Sequence, residues 1–402
     1  MSYRRCKISF ASPVFFVQIS HIFYNGDIMY RIRFIFIFVI LFVMSGNSAY
    51  AISAKSYAVM EMTSNNVLLS KDAHTKLPMA STTKIMTALC AIENGDMDSV
   101  VEVSDKAIGV EGSSMYLERG EKLTLRNLLY GLMLNSGNDA AVAIAIHISG
   151  DVESFIKIMN DTAAKIGAKN THFTNPNGLP DDNHYTTAYD LALITCYAYK
   201  YDDFREIVAT YEKNIPWQGR EYDRRLKNHN KLLTMYEGCT GVKTGFTKKS
   251  GRCLVSGAKR NGAEVICVTL NAPDDWNDHM TLMDSVFPRL SVKKLFRKGD
   301  YIATVTVKDG EGDRVGVVAK EDIDMVITDG KIPSVNVVTE IPDTITAPSG
   351  FEETVGEICV YHGNRLVGKT SLVTKEMIRQ KEKPHIWQSV YNVLKAFIAV
   401  NE

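Results

Sequence analysis

The chain lacks the marks of several large protein classes. It has 7 cysteines in 402 residues and no C-x-x-C pair, which argues against a zinc knuckle or a disulfide framework. Cys6 lies in a leader. Cys90, Cys196, Cys239, Cys253, Cys267 and Cys359 are read as buried free thiols. Lys plus Arg and Asp plus Glu number 46 each, so the net charge is zero. No basic stripe or stacking motif marks a nucleic-acid partner. No repeat of about 20–50 residues stands out, and there is no low-complexity linker.

Long apolar runs are also absent. The run Phe34–Met44 is well short of the roughly 20 residues that span a bilayer. It follows Arg31 and Arg33 and leads to Ala49-Tyr50-Ala51. That order is the n-region, h-region and A-x-A site of a secretory signal peptide, with cleavage after Ala51. An uncleaved N-terminal anchor is the alternative. Met29 stands just ahead of the n-region, so residues 1–28 are read as upstream translation and 1–51 as leader and signal peptide.

The remainder has the balance of a globular protein, with 45% hydrophobic and 23% charged residues. Ser56–Leu69 alternates apolar and polar residues about Ser64-Asn65-Asn66, the pattern of a hairpin. Beyond Pro78, Ile85, Met86, Leu89 and Ile92 recur at helical spacing and Gly95 ends the run. Thr124 is placed to cap a helix reaching Leu134, and Asp139 opens an apolar core helix over Ala140–Ile148. From Tyr222 to Asn271 the pattern turns to strands. Strands at both ends with helices between predict an α/β (α+β) domain over 52–290. From Tyr301 to about Val373 β-branched runs are cut by Gly, Asp and Pro, which with a composition shift near Ser291 predicts a small all-β domain over 291–373. In the tail, 374–402, Lys375, Arg379, Lys381 and Lys383 precede Trp387, Val390, Tyr391, Leu394, Phe397 and Ile398. That spacing predicts an amphipathic helix over Ile386–Val400, too short to cross a bilayer and suited to its surface.

Three motifs carry chemistry: Ser81-Thr82-Thr83-Lys84, Ser136-Gly137-Asn138 and Lys243-Thr244-Gly245. Singly they are weak, since Ser-x-x-Lys recurs at Ser154/Lys157, Ser256/Lys259 and Ser291/Lys294, and Ser-Gly-Asn at Ser45-Gly46-Asn47. Their order and spacing give the set its meaning. At i and i+3, Ser81 and Lys84 share one helix face. A serine needs a base to become a nucleophile. A lysine serves as that base when burial and a neighbouring cation, here Lys243, lower its pKa. Ser136 is placed to relay the proton, and Asn138 offers an amide to a peptide backbone. Lys243-Thr244-Gly245 would line the cleft on an edge strand, with Gly245 giving close approach to substrate. Lys243 and Thr244 would bind a carboxylate, and the backbone N–H groups of Ser81 and Phe246 would form an oxyanion hole.

The motif set resembles the penicillin-recognising serine enzymes, the penicillin-binding proteins and serine β-lactamases. Phe173-Thr174-Asn175-Pro176-Asn177-Gly178-Leu179, His184, Thr187-Ala188-Tyr189-Asp190-Leu191, Asn228-His229-Asn230-Lys231-Leu232-Leu233 and Gly241–Thr247 narrow the resemblance. They are similar to the low-molecular-mass serine-type D-alanyl-D-alanine carboxypeptidases, peptidase family S11. The resemblance implies a penicillin-binding-protein-like catalytic domain, a small β domain and a membrane-surface helix. It implies that Ser81 forms an acyl-enzyme with peptidoglycan stem pentapeptides, releases the terminal D-alanine and is acylated by β-lactams. It further implies export to the outer face of the cytoplasmic membrane, with no metal and no cofactor.

Two departures bear on carboxylate binding. Phe246 stands where some relatives have His, and Asp274-Asp275-Trp276-Asn277-Asp278-His279 lacks an arginine that some carry. Arg252 is the candidate helper, while His184 and His279 are read as structural. Two alternatives remain. One is a serine β-lactamase, which in its class A form would need a Glu-x-x-Leu-Asn segment not found here. The other is a non-catalytic peptidoglycan-binding scaffold.

Overall fold

The computed structural model describes residues 51–382 and 390–396. The leader and signal peptide, and most of the expected tail helix, lie outside the described residues. Residues 390–396 are helical, with Val390, Tyr391, Val393 and Leu394 exposed. Among the described residues no helix is long and apolar enough to cross a membrane.

A five-stranded antiparallel sheet organises residues 52–290. The expected hairpin is β1 (Ser56–Glu61) and β2 (Val67–Lys71). Two short two-stranded ribbons, β3 (Val100–Glu102) with β4 (Lys122–Thr124) and β5 (Glu212–Ile215) with β6 (Arg224–Lys227), stand apart from this sheet. The strand-rich stretch supplies β7 (Cys239–Thr247), β8 (Gly251–Arg260) and β9 (Ala263–Leu270). Their order is β2-β1-β9-β8-β7. The pairing of β1 with β9, with Ala58 opposite Val268, joins the two ends of this segment and leaves β7 on an edge.

Alternation along each strand buries both faces of the sheet. Ala58, Met60, Val255, Ile266 and Val268 point into one core. Val59, Leu254, Val265 and Cys267 point into the other, against Leu282, Met283 and Val286 of a covering helix. That helix spans Asp275–Val286. The first core holds the helices between the two strand groups. They are α1 (Lys84–Asn94), α2 (Leu125–Leu134), α3 (Asn138–Ser149), α4 (Val152–Ile166), α5 (Ala188–Ala198) and α6 (Asp202–Ala209). Thr124 caps α2 as expected, its hydroxyl accepting from Asn127 N–H at 3.2 Å. Gly95 follows α1. Ala140–Ala145 of α3 are all buried, the core helix that the apolar run required. A short helix, α7 (Leu232–Met235), interrupts the stretch expected to be strands. The Asp275–Val286 helix is α8.

The β-rich part begins earlier than its β-branched runs indicated. The strand β10 (Leu290–Phe296) pairs with β13 (Ile323–Thr328). Its lysines, Lys293 and Lys294, hide the strand pattern because most of it faces solvent. The main sheet adds β11 (Tyr301–Lys308), β12 (Arg314–Ala319), β14 (Asn336–Glu340), β15 (Thr344–Thr346), β16 (Thr354–His362) and β17 (Arg365–Thr374). Its order is β14-β16-β17-β12-β11-β15, around Val305, Val317, Ile358, Val360 and Leu372. Arg365 ties this part to the first sheet. Its Nε donates to Thr63 O at 2.5 Å and its Nη2 to Met62 O at 3.0 Å. Cys90, Cys196, Cys253 and Cys267 are buried free thiols, as expected, while Cys239 and Cys359 are only half-buried.

Candidate active site

Ser81 sits in a 3-10 turn, Ala80–Thr83, that runs into α1. Ala80 has φ +49°, a left-handed conformation that costs a non-glycine residue about 1–3 kcal/mol unless its surroundings hold it. They do so here. Thr82 Oγ1 donates to Met79 O at 2.6 Å and Thr83 Oγ1 to Ala80 O at 2.8 Å. His184 Nδ1 accepts from Thr174 N–H at 3.0 Å. Its other nitrogen, Nε2, is therefore the donor to Thr83 Oγ1 at 2.7 Å. Burial lowers the His184 pKa to about 4, which keeps it neutral and in this tautomer. His184 thus supports the Ser81 turn, the structural part expected of it.

Two glycines close on the same turn. A Cβ at Gly178, where φ is +90°, would lie 2.0 Å from Ala80 O. A Cβ at Gly245 would lie 3.0 Å from Ser81 N and 3.1 Å from Thr82 N. Gly245 was expected to admit substrate. Its bare face also packs β7 against the Ser81 turn, which brings the Ser81 N–H close to the strand that carries Phe246.

Lys84 is fully buried. Its Nζ lies 3.0 Å from Ser81 Oγ, 2.6 Å from Asn138 Oδ1 and 2.7 Å from Asn177 O. A neutral amine has two N–H groups and one lone pair. The two carbonyl-type oxygens can only accept, so they take the N–H groups and leave the lone pair for the Ser81 hydroxyl. Desolvation by burial holds the Lys84 pKa well below its usual value, the Lys243 charge adds to this, and Asp139 opposes it. Lys243 is itself buried, which lowers its pKa to about 7; its Nζ donates to Thr244 O at 3.0 Å. The neighbouring cation expected from the sequence is therefore in place. Asp139 is occupied on its other side, accepting from Ser114 Oγ at 2.6 Å and from the Met115 and Leu117 N–H groups at 3.1 Å.

A cavity of about 380 Å³ opens over Ser81. Ser136, Thr244, Gly245 and Phe246 line it with Ser81, as do Ser113, His229, Lys231, Arg252, Asp275 and Trp276. Lys84, Asn138 and Lys243 stand buried behind this wall. Two expected contacts differ. Ser136, held at φ +59°, makes no hydrogen bond to Lys84 or Ser81 among the described residues. Asn138 is engaged at both ends, since its Nδ2 donates to Glu111 O at 2.5 Å.

Sequence reasoning gave no contact to Asn177, whose backbone oxygen positions Lys84; the Asn175-Pro176-Asn177-Gly178 run was its only signal. It also undervalued Arg252, which faces Phe246 across the β7–β8 pair. The Arg252 Nε and Nη2 both donate to Asp275 Oδ1, at 2.9 and 2.7 Å. The guanidinium lies 5.5 Å from the Trp276 ring centre. The segment without an arginine thus holds one donated by β8. Among the described residues, no group of three or more His, Cys, Asp or Glu is placed to hold a metal.

A two-faced α/β sheet, an all-β companion and a serine turn opening onto a buried lysine define the class of penicillin-recognising serine enzymes. The chain belongs to the family described as D-alanyl-D-alanine carboxypeptidase, Peptidase_S11, which it matches over residues 43–274. Residues 291–380 match the penicillin-binding protein 5 C-terminal domain. It is 32% identical over 342 residues to D-alanyl-D-alanine carboxypeptidase DacF of Bacillus subtilis, covering 83% of this chain and 88% of that one. It is 38% identical over 236 residues to a D-alanyl-D-alanine carboxypeptidase of a Streptomyces species, covering 54% and 81%. Among solved structures it is similar to penicillin binding protein 5 of Haemophilus influenzae, with TM-score 0.59 and 26% identity over 83% of this chain and 100% of that one. It is also similar to a peptidoglycan synthesis regulatory factor (PBP3) of Streptococcus pneumoniae, with TM-score 0.66 and 25% identity over 82% and 100%.

Proposed function

We propose that this chain is a serine D-Ala-D-Ala carboxypeptidase that trims peptidoglycan stem pentapeptides through an acyl-ester on Ser81. The observation that carries it is the Lys84 amine, with its two N–H groups held by Asn138 and Asn177 and its lone pair left for Ser81 Oγ at 3.0 Å. Lys84 takes the Ser81 proton as Oγ attacks the carbonyl of the penultimate D-alanine. The Ser81 and Phe246 N–H groups receive the oxyanion. Ser136, on the cavity wall, passes the proton to the departing amine of the terminal D-alanine. Water then attacks the ester by the reverse proton path. Lys243 and Thr244 supply charge and a hydroxyl for the substrate carboxylate, with Arg252 beside them. Asn138 holds Lys84 through its side-chain oxygen. Penicillin acylates the same hydroxyl through its lactam carbonyl.

The cellular placement proposed here is read from the residue patterns of the two terminal segments. Cleavage after Ala51 would release an exported chain, in which residues 52–290 form the catalytic domain and 291–373 the small β domain. The 374–402 segment would hold it to the outer face of the cytoplasmic membrane. The exposed Tyr391 and Leu394 support that attachment.

The test is to incubate the mature chain from Ile52 with a D-Ala-D-Ala-terminated peptide, beside Ser81→Ala, and measure free D-alanine. Release that vanishes in the variant is expected. A penicillin adduct on Ser81 without release would point to another acyl acceptor, and neither release nor adduct would leave the scaffold alternative.

A further inference from the structure

A second cavity, of about 600 Å³, adjoins the first. His229 and Lys231 line both, so the two form one continuous cleft. The rest of its lining is Tyr211, Lys227, Asn228 and Thr234, without an acidic residue. The neighbouring arginines are neutralised. Arg224 is paired with Glu121 at 2.8 Å, and Arg225 with Glu212 at 2.5 Å. The lysines make no such pair: among the described residues neither Lys227 nor Lys231 has a carboxylate within 4.0 Å, and Glu212, which stands opposite Lys227 in the strand pair, is held by Arg225. The Lys227 ammonium lies 5.3 Å from the Tyr211 ring centre.

The floor is fixed rather than loose. The Asn228 Nδ2 donates to Thr210 O at 3.1 Å, and its Oδ1 accepts from Asn230 N–H at 2.9 Å. The Asn230 Oδ1 accepts from Leu232 N–H at 3.1 Å. A built recess with two unpaired ammonium groups and an aromatic wall suits a carboxylate on a flexible chain.

We propose that this recess binds a carboxylate-bearing residue of the substrate upstream of the scissile bond, so that the enzyme prefers acidic peptides on the acyl side. This rests on the reading that Ser81 accepts a peptide ending in D-Ala-D-Ala. The leaving D-alanine and its carboxylate are assigned to Thr244 and Arg252. The space shared with His229 and Lys231 is therefore left to the acyl portion, and the recess is far larger than one alanine.

The test uses two peptides that differ by one charge: acetyl-γ-D-glutamyl-Lys-D-Ala-D-Ala with a free α-carboxylate, and its α-carboxamide twin. Two exposed ion pairs should favour the carboxylate peptide by about 2–30-fold in kcat/KM, mostly through KM. Added salt should shrink that preference. Lys227→Gln should reduce it several-fold and leave the carboxamide peptide unchanged, while Lys227→Arg should keep it. Equal kcat/KM for the two peptides in the unaltered protein would overturn the proposal, as would an equal loss on both in Lys227→Gln. If neither peptide releases D-alanine, the carboxypeptidase reading fails and the recess is judged by binding alone. The Ser81→Ala chain is then titrated with both peptides by calorimetry. A several-fold tighter Kd for the carboxylate peptide supports the recess, and equal Kd values overturn it.

Discussion

The Asn138 side-chain oxygen accepts a 2.6 Å hydrogen bond from Lys84 Nζ, inside a wall that excludes both residues from solvent. A neutral acceptor in this place fixes an N–H without favouring the ammonium form as an anion would. Asn138→Asp changes that balance. A carboxylate at this distance raises the Lys84 pKa, so the base stays protonated at neutral pH. The expected result is a loss of about 10²–10³ in kcat/KM at pH 7, the size of a lost general base. The acidic limb of the pH profile should also move to higher pH. A profile measured for both proteins checks this, and an unmoved limb would show that Asn138 does not set the state of Lys84.

Lys243 sets the other limb. Burial lowers its pKa to about 7, so it carries its charge below that pH and loses it above. The charge both lowers the Lys84 pKa and is proposed to meet the substrate carboxylate. The kcat/KM of the free enzyme should therefore fall as pH rises through about 7. An arginine remains charged across this range, so Lys243→Arg should remove that fall while reducing the maximal rate. The check is the alkaline limb of kcat/KM, read between about pH 6 and about pH 10.

The two packed glycines separate strain from contact. Gly178→Ala would meet Ala80 O at 2.0 Å with φ at +90°. Gly150→Ala, at φ +85°, would meet nothing within 4 Å. Both carry the left-handed cost of about 1 kcal/mol, but only Gly178→Ala must also displace the Ser81 turn. Thermal unfolding and labelling by a fluorescent penicillin should therefore diverge. The Gly150 variant should lose a few degrees and keep its label. The Gly178 variant should lose its label even at temperatures where it remains folded.

Much of this site was legible in the sequence because each motif is local. Ser81 and Lys84 are one turn apart, and Lys243-Thr244-Gly245 needs only an edge strand. The order of the motifs and the longer segments around Asn175, Asn230 and Lys243 then carried the resemblance to a family. Long-range contacts were not legible. Asn177 reaches Lys84 across 93 positions, and Arg252 reaches Asp275 from a different element. No periodicity encodes either. The β10 strand was hidden for another reason: exposed strands do not alternate, so Lys293 and Lys294 masked it. Asn138 was placed in the right motif but facing the substrate; its engagement with Lys84 and Glu111 required coordinates.

His184 links acidity to stability. Its pKa is lowered by burial from 6.5 to about 4, so below about pH 6.5 the unfolded chain binds a proton that the folded chain refuses. Stability is full above that pH and falls as pH drops towards 4, by about 3 kcal/mol in total for a shift of this size. His279, lowered to about 3 by its burial, adds a loss of the same sign. His184→Gln can keep both contacts, accepting from Thr174 N–H and donating to Thr83 Oγ1, but cannot titrate. Unfolding free energies from urea titrations at pH 7 and pH 5 should therefore draw closer in this variant than in the unaltered chain, by about 2 kcal/mol. An undiminished gap would move the acid sensitivity elsewhere.

Arg252 gives the sharpest test of how the cleft reads its substrate. Its guanidinium is held by Asp275 against Trp276 on the cavity wall. One face of a planar fork is thereby spent, while its remaining N–H groups stay free for an incoming carboxylate. Loss of a charge-assisted bond of this kind costs about 1.5–3 kcal/mol. Arg252→Ala should therefore raise KM by about 10–100-fold for a peptide ending in a free D-alanine carboxylate, with a smaller change in kcat. A peptide ending in D-alanine amide offers no carboxylate and should be turned over equally poorly by both proteins. Asp275→Asn should give the same pattern more weakly, because the arginine remains but is no longer aimed. If Arg252→Ala lowered kcat for both peptides alike, the arginine would be supporting the wall of the cleft rather than recognising the chain end.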